Sequence, residues 1–265
     1  MKKTLILIKL GGSLITDKNK AFTAKKDIIC RLAEEIEASL SKIKGDLVIG
    51  HGSGSFGHVV AAKYKTQDGI VNKYSVGGFP LVADAARKIN VIVMDNLLKA
   101  NVKAVSFSPL SFIYTKNQKE KVSLPNPIKK ALKIGLVPVI YGDVIMDEVK
   151  GFCIYSGEKS LNLIAEKLKN YYQKIRVIYC GETDGVYDEK GKTIKEITSK
   201  NFSSIEKDLG CSLGIDVTGG MIHKVKEALE IAKDLKAETQ IINATKKDAL
   251  KKAILGKEVL ATRIY

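Results

Sequence analysis

Residues 47–58 read Leu47-Val48-Ile49-Gly50-His51-Gly52-Ser53-Gly54-Ser55-Phe56-Gly57-His58, an apolar run followed by a glycine-rich loop. The apolar part is typical of a buried strand. A second glycine pair, Gly11-Gly12, follows a similar apolar run at Leu5–Ile8. Because glycine lacks a Cβ, backbone N–H groups in such loops can approach phosphate oxygens closely. Two strands that each end in a glycine loop therefore predict a site that holds an anion from two sides.

Three basic side chains accompany these loops. Lys9 stands where the first strand should end, and beside Gly11-Gly12 its ammonium group and the backbone amides would form a phosphate clamp. Lys18 lies at the end of the same loop, either as a surface lysine or as a second clamp on a transferred group. His58 closes the second loop with a side chain that can donate to an anion and titrates near neutral pH.

A third glycine pair, Gly219-Gly220, precedes a predicted helix over residues 220–235. The free N–H groups at the start of a helix attract anions, and Lys224, one turn further on, would reach the same phosphate. The alternative is an ordinary helix N-terminus with exposed lysines.

Three carboxylates, Asp143, Glu182 and Asp184, each follow a predicted strand. Any one of them could simply cap a loop. Together, at converging strand ends, they suit holding lysines or Mg²⁺ around a polyphosphate.

Apolar strands alternate with helices along the whole chain, which predicts a mainly parallel sheet covered by helices on both faces. Ligands of such sheets bind at the carboxyl ends of the strands, where the glycine loops should meet. We expect one domain over residues 1–265, a helix that Asp27 caps and Gly45 ends, a mobile loop or lid at Lys65–Gly78, and an exposed hairpin or loop at Lys116–Val122.

The chain has 265 residues and a formal net charge of +15. This charge raises the possibility of nucleic-acid binding, but the lysines are spread along the chain and no aromatic-interleaved basic stripe is present. We therefore predict a lysine-rich surface that attracts anionic substrates, with no nucleic-acid partner. No apolar run is long enough to span a membrane. Four scattered cysteines and three histidines argue against a zinc site and favour free, buried or half-buried thiols in the cytoplasm.

Two common nucleotide-binding motifs are excluded or weak. The Walker A pattern is absent. Gly52, Gly54 and Gly57 fit the G-x-G-x-x-G spacing, but no acidic residue stands out where a ribose contact would lie. Dinucleotide binding is therefore disfavoured.

The motifs taken together resemble the amino acid kinase superfamily, and within it the isopentenyl phosphate kinases most of all. The resemblance covers essentially the whole chain in the right order, and its most specific part is the final histidine of residues 51–58. The segments that carry the resemblance are Lys9–Ser13, His51–His58, Pro138–Asp143, Thr183–Val186 and Asp216–Met221.

The resemblance implies a three-layer αβα sandwich of the amino acid kinase type, usually dimeric, with an acceptor-binding lobe over residues 1–172 and an ATP-binding lobe over residues 173–265. It implies that ATP, with Mg²⁺, is the co-substrate and that isopentenyl phosphate is the acceptor, giving isopentenyl diphosphate. No residue of the chain is assigned as a metal ligand.

The resemblance also implies roles for individual residues. Lys18 stabilises the transferring group, Asp143 organises the lysines, and His58 and the amide of Gly157 hold the acceptor phosphate. Ser53 occupies a small-residue position of the acceptor loop. The nucleotide side comprises Lys9, Gly11, Gly12, Ser13, Gly54, Glu182, Gly219 and Lys224.

The chain departs from the family pattern at Glu158-Lys159, where Asp-Asp is frequent, and at Glu182, where Asp is common. The acceptor's isoprenoid tail needs an apolar pocket, which we expect against residues 80–97, with Phe79, Val82 and Ala86 as candidates. Two other functions stay open: a related kinase for another phosphate or phosphonate such as fosfomycin, and a regulatory or nucleic-acid-binding module without activity.

Overall fold

A computed structural model describes residues 3–211 and 220–265, with only the backbone described for residues 207–211, 220 and 223. Helices α1–α9 span Gly12–Ile15, Lys26–Leu40, Gly54–Tyr64, Ser75–Lys99, Asn126–Lys133, Gly157–Leu168, Phe202–Cys211, Gly220–Leu235 and Ala249–Ile254. Strands β1–β12 span Thr4–Leu10, Gly45–His51, Ala104–Phe107, Ile113–Lys116, Lys119–Ser123, Val137–Tyr141, Asp143–Asp147, Gly151–Tyr155, Lys174–Gly181, Glu196–Ile197, Glu238–Asn243 and Ala261–Ile264.

The main sheet has eight strands in the order β10-β12-β11-β9-β1-β2-β6-β3. The six strands from β11 to β3 run parallel to one another, and β12 runs antiparallel to β11. Parallel pairing places the carboxyl ends of β1, β2 and β9 side by side; the two glycine loops follow β1 and β2, and Gly181 is the last residue of β9. The predicted mainly parallel α/β fold is confirmed.

Helices cover both faces of the sheet, because the side chains of each strand alternate between two separate cores. Leu5 and Leu7 of β1 pack in the core formed with α6 and α8. Ile6 and Ile8 pack in the core formed with α2, α4 and α9. This arrangement gives the three predicted layers.

A smaller sheet, in the order β5-β4-β7-β8, lies over the amino half of α4. Its β4–β5 hairpin confirms the turn expected at Lys116–Val122. The β7–β8 hairpin was not predicted. Val144 of β7 and Phe152 of β8 are buried against Val82 of α4, which fixes this sheet to the helix.

Two predicted boundaries are wrong. Helix α2 ends at Leu40, and Gly45 instead begins β2, where a Cβ would lie 2.2 Å from the carbonyl oxygen of Thr4. Helix α4 begins at Ser75, so the last residues of the expected loop are its first turn. The buried Ser75 hydroxyl accepts hydrogen bonds from two backbone amides of the preceding loop. Gly78 packs so closely on Tyr64 that a Cβ would lie 2.3 Å from the Tyr64 Cβ.

Other expectations have mixed outcomes. Asp27 lies in the first turn of α2 and is not its cap, because the helix begins one residue earlier.

Cys153 and Cys180 are buried free thiols, whereas Cys30 is exposed. The lobe boundary after residue 172 stays a prediction; the main sheet continues across it, with β9 paired to β1 along seven residues. Within the described parts of the chain, no helix is long and apolar enough to cross a membrane.

Candidate active site

The two glycine loops pack directly on each other at the carboxyl edge of the sheet. A Cβ on Gly12 would lie 2.8 Å from the backbone of Gly54, whose φ of +49° is a conformation that favours glycine. Thr16 fastens the loops together, because its hydroxyl donates to Gly12 O (2.7 Å) and accepts from Ser55 N (3.0 Å). The contact explains why both loops need glycine.

A cavity of about 370 Å³ opens beside these loops and collects most of the predicted site. The predicted residues that line it come from both halves of the chain: Lys9, Gly12, Ser13, Lys18, Ser53, His58, Asp143, Gly157 and Lys224. Gly54 does not line the cavity but contacts Gly12, which does. Gly219 lies outside the described residues.

Lys9 forms a buried ion pair with Glu158. Its Nζ lies 2.7 Å from Glu158 Oε1, and the side chains are only 3% and 14% exposed. Burial raises the pKa of Glu158, but the Lys9 charge, the hydrogen bond from Lys9, a backbone hydrogen bond and the Lys224 charge together outweigh burial and hold the pKa below its usual value. Glu158 is therefore ionised at neutral pH and fixes the Lys9 ammonium in the cavity wall.

Two helix N-termini meet at the cavity. Helix α3 begins after Ser53, and helix α6 begins at Gly157, with Ser156 Oγ accepting from Lys159 N at 3.1 Å. A Cβ on Gly157 would lie 2.8 Å from Lys9 Cε and 2.6 Å from His51 O, so only glycine lets the lysine pass. Unpaired N–H groups at such termini attract phosphate.

His58 lies in the second turn of α3 and faces the same cavity. Desolvation lowers its pKa, the Glu158 carboxylate raises it, and the Lys9 ammonium lowers it; the net shift is downward. The imidazole is therefore largely neutral in the free protein at pH 7. A bound dianion would favour its protonated form.

Asp143 is buried at the start of β7, and its described contacts are not with lysine. Its carboxylate accepts hydrogen bonds from Val144 N at 2.8 Å and from Ser108 Oγ at 3.3 Å. Burial raises its pKa to about 7, against the effect of these hydrogen bonds. The predicted organiser of the lysines thus shares their cavity, while the carboxylate that contacts Lys9 is Glu158.

We expect Asp143→Asn to stabilise the ligand-free protein at high pH only. The folded protein holds the Asp143 proton up to about pH 7, whereas the unfolded chain releases it near 3.8, so stability falls as pH rises between these values. Asparagine removes this loss. Urea denaturation should show a gain of about 2–4 kcal/mol over wild type at pH 8 and nearly none at pH 4. An equal difference at both pH values would contradict a raised pKa.

A smaller recess continues from the cavity towards the end of β9. Gly11, Glu182 and Tyr179 line it together with Lys9 and Lys224. Glu182 pairs with Lys25, whose Nζ lies 2.7 Å from Glu182 Oε1 and donates to Ser13 O at 2.9 Å. Lys25 thereby ties the first glycine loop to the end of β9.

The opposite end of the cavity is apolar. Val82 and Ala86 of α4, both predicted, line it with Ala61 and Ile154. Phe79, the third candidate, packs against Phe152 with ring centroids 5.3 Å apart. The cavity therefore joins a cationic end to an apolar end.

Three features of the site were missed. The ion pair of Glu158 joins residues 149 positions apart, which no local pattern reveals. Glu227 of α8 lines the cavity, and burial and the Glu158 charge raise its pKa to about 7. His51 is fully buried; its ring nitrogens lie 3.0 Å from Gly52 O and 3.2 Å from Asn90 Oδ1, which anchors the glycine loop from below. The sequence pattern of this loop points to its glycines and to His58, and gives no signal for the role of His51.

Comparisons with known proteins show the family and the fold. The model of the amino acid kinase family matches residues 4–243. The isopentenyl phosphate kinase of Methanocaldococcus jannaschii is 36% identical over 269 residues, covering 98% of each chain. That of Methanothermobacter thermautotrophicus is 35% identical over 271 residues, again covering 98% of each. A crystal structure of an isopentenyl phosphate kinase superposes with a TM-score of 0.82 at 31% identity, covering 98% of this chain and 100% of the other.

Proposed function

This chain belongs to the amino acid kinase family, and we propose that it transfers the γ-phosphoryl group of ATP to isopentenyl phosphate, giving isopentenyl diphosphate and ADP. The observation that carries the proposal is the two-ended cavity. Its cationic end, with Lys9, Lys18 and Lys224, suits phosphate groups, and its apolar end suits a short hydrocarbon tail. The relatives at 35–36% identity carry the same activity in their names.

We assign different parts of the cationic end to the phosphates of the two substrates. The nucleotide phosphates lie along Lys9, the Gly11–Ser13 loop and Lys224, with Gly54 and Glu182 on the same side. The assignment of Gly219 to the nucleotide rests on the sequence alone. The acceptor phosphate lies against His58, Ser53 and the amide of Gly157. These assignments are supported by the common cavity and by the helix N-termini at Ser53 and Gly157.

The transfer needs no strong general base. The acceptor phosphate has a second pKa near ~6, so it arrives largely as a dianion, and one of its oxygens attacks the γ-phosphorus. The bond from that phosphorus to the β–γ bridging oxygen breaks, and ADP leaves with the electron pair. The principal obstacle is repulsion between two anions, which Lys9, Lys18 and His58 offset while aligning the attack.

Mg²⁺ would arrive with the nucleotide. In the part of the chain that the structure describes, no three His, Cys, Asp or Glu side chains are grouped to hold a metal ion. Mg²⁺ in kinases is held largely by substrate phosphates, with one or two carboxylates and water. Of the residues that line the cavity, Glu158 and Glu227 would supply the carboxylate ligands of the ion. Bound there, the ion would neutralise phosphate charge.

We further propose a cytoplasmic homodimer. The exposed free thiol of Cys30 suits a reducing compartment. The exposed apolar side chains Val91 and Leu98, seven residues apart on α4, offer a surface for a second copy.

An assay that couples ADP release to NADH oxidation tests the proposed acceptor. The panel comprises isopentenyl phosphate, dimethylallyl phosphate, longer prenyl phosphates, fosfomycin and UMP. We expect the highest kcat/KM with isopentenyl phosphate and a fall as the tail lengthens beyond the apolar end. Preference for fosfomycin or UMP would contradict the assigned acceptor, and absence of turnover with every acceptor would favour a binding module.

A further inference from the structure

A second cavity, of about 540 Å³, lies at the amino ends of the central strands, whereas the active site lies at their carboxyl ends. It is bounded by Thr4, Lys174 and Glu238, the first residues of β1, β9 and β11. Among the described residues, none lines both cavities. Ile6 of this cavity and Lys9 of the active site are three residues apart on β1, about 10 Å along the strand, so their side chains point to opposite faces of the sheet. The second cavity is therefore distinct from the phosphoryl-transfer site.

The cavity has an apolar floor and a cationic rim. The floor comprises the buried Ile6, Ile178 and Ile254 and the half-buried Ile43 and Leu255, and it lies between the segments that follow α2 and α9. Six basic side chains line the cavity: Lys42, Lys44, Lys174, Arg176, Lys257 and Arg263. Glu238 is the single acidic side chain among the residues that line it.

Among the described residues, only two of these six cations form an ion pair within the protein. Lys174 lies 2.5 Å from Glu238, and Arg176 lies 3.9 Å from the same carboxylate. Arg176 also donates to Ala253 O and Ile254 O, at 2.6 and 2.9 Å, which offsets the negative C-terminal end of α9. The remaining four form no ion pair with any described residue: Lys42, Lys44, Lys257 and Arg263.

Four uncompensated cations around one concavity repel one another and concentrate anions from solution. The volume falls within the range of small-molecule sites, roughly 300–1,000 Å³. The cations converge on a hollow and form no extended stripe of the kind that tracks a nucleic-acid backbone. The apolar floor adds room for a part of the ligand that carries no charge.

We propose that this second cavity binds a small phosphate ester that carries at least two phosphate groups. The phosphates contact Lys42, Lys257 and Arg263 at the rim, and the organic part lies on the isoleucine floor. Nucleoside phosphates and prenyl diphosphates share this chemistry. The proposal does not depend on the identity of the phosphoryl acceptor.

Calorimetric titration of the full chain with inorganic tripolyphosphate tests the site. Wild type should show two classes of site, because the active site also binds phosphates. The triple variant Lys42→Ala/Lys257→Ala/Arg263→Ala should lose one class, with at least tenfold weaker binding, while kcat and KM for ATP stay within twofold. The charge-matched variant Lys99→Ala/Lys130→Ala/Lys200→Ala, which alters exposed lysines elsewhere, should keep both classes.

The proposal is overturned if wild type shows one class of site, if the cavity variant keeps both, or if both variants lose affinity equally. Competition with ADP and with isopentenyl diphosphate then separates the ligand sources, and displacement by either supports the proposal. Displacement by neither would overturn the assignment to phosphate esters. Salt-dependent RNA binding that the cavity variant alone loses, without a second tripolyphosphate site, would indicate a nucleic-acid surface instead.

Discussion

We expect His58→Ala to lower kcat/KM for isopentenyl phosphate by about 100- to 1,000-fold, the usual effect of removing one donor that faces developing charge. The Kd for ATP stays within about twofold. His58 lines the cavity on the side of the helix that begins after Ser53, apart from the recess with Gly11 and Glu182. We therefore expect its imidazole to act on the acceptor phosphate. Initial rates and fluorescence titration with a labelled nucleotide measure the two effects.

His58→Gln is the matched variant, because it keeps one N–H donor but cannot become a cation. We expect it to recover part of the lost kcat/KM, and more at pH 8 than at pH 6, since the wild-type histidine is protonated mainly at the lower pH. Equal losses of ATP affinity and turnover in His58→Ala would place the residue in the nucleotide site or the fold.

We expect Glu158→Ala to destabilise the protein by about 3–5 kcal/mol, because it leaves the Lys9 ammonium buried without a partner. Lys9→Met should destabilise the protein by a similar amount, because it leaves the Glu158 carboxylate without its cation. The double variant Lys9→Met/Glu158→Leu removes both charges and should return to within about 1–2 kcal/mol of wild type. Urea denaturation at pH 7 measures all three values.

The kcat of the double variant separates the catalytic role of the Lys9–Glu158 pair from its effect on stability. The double variant should fold but lose kcat by at least about 1,000-fold, because a cation that faces the transferring phosphoryl group is gone. The control is Lys226→Met, which breaks an exposed pair with Glu206 at 2.7 Å and should cost less than about 1 kcal/mol. A double variant that stays active would contradict the assignment of Lys9 to the nucleotide phosphates.

The glycine loops were predictable from sequence because their function depends on local features. Apolar strands at Leu5–Ile8 and Leu47–Gly50 end in glycines, and parallel pairing brings strand ends together. The hairpin of β7 and β8 was missed because its strands have five residues each and lack a clear helix or strand periodicity. Short elements of this kind are specified by packing against α4.

The carboxylate partner of Lys9 illustrates a different limit. In the sequence, Glu158 stands out only as a departure from an Asp, whereas in the structure its carboxylate contacts the Lys9 ammonium. The extra methylene lengthens the reach of the side chain, and contact across 149 residues depends on how α6 docks against β1. Asp143 had the more evident position after a strand, yet burial next to Ser108 favours its neutral form.

The most direct test of the central claim is phosphorus-31 NMR of the purified protein with ATP, Mg²⁺ and isopentenyl phosphate. The account predicts that the monophosphate resonance of the acceptor decays while two coupled diphosphate resonances and those of ADP grow in equal amounts. Release of inorganic phosphate from ATP with the acceptor unchanged would contradict it.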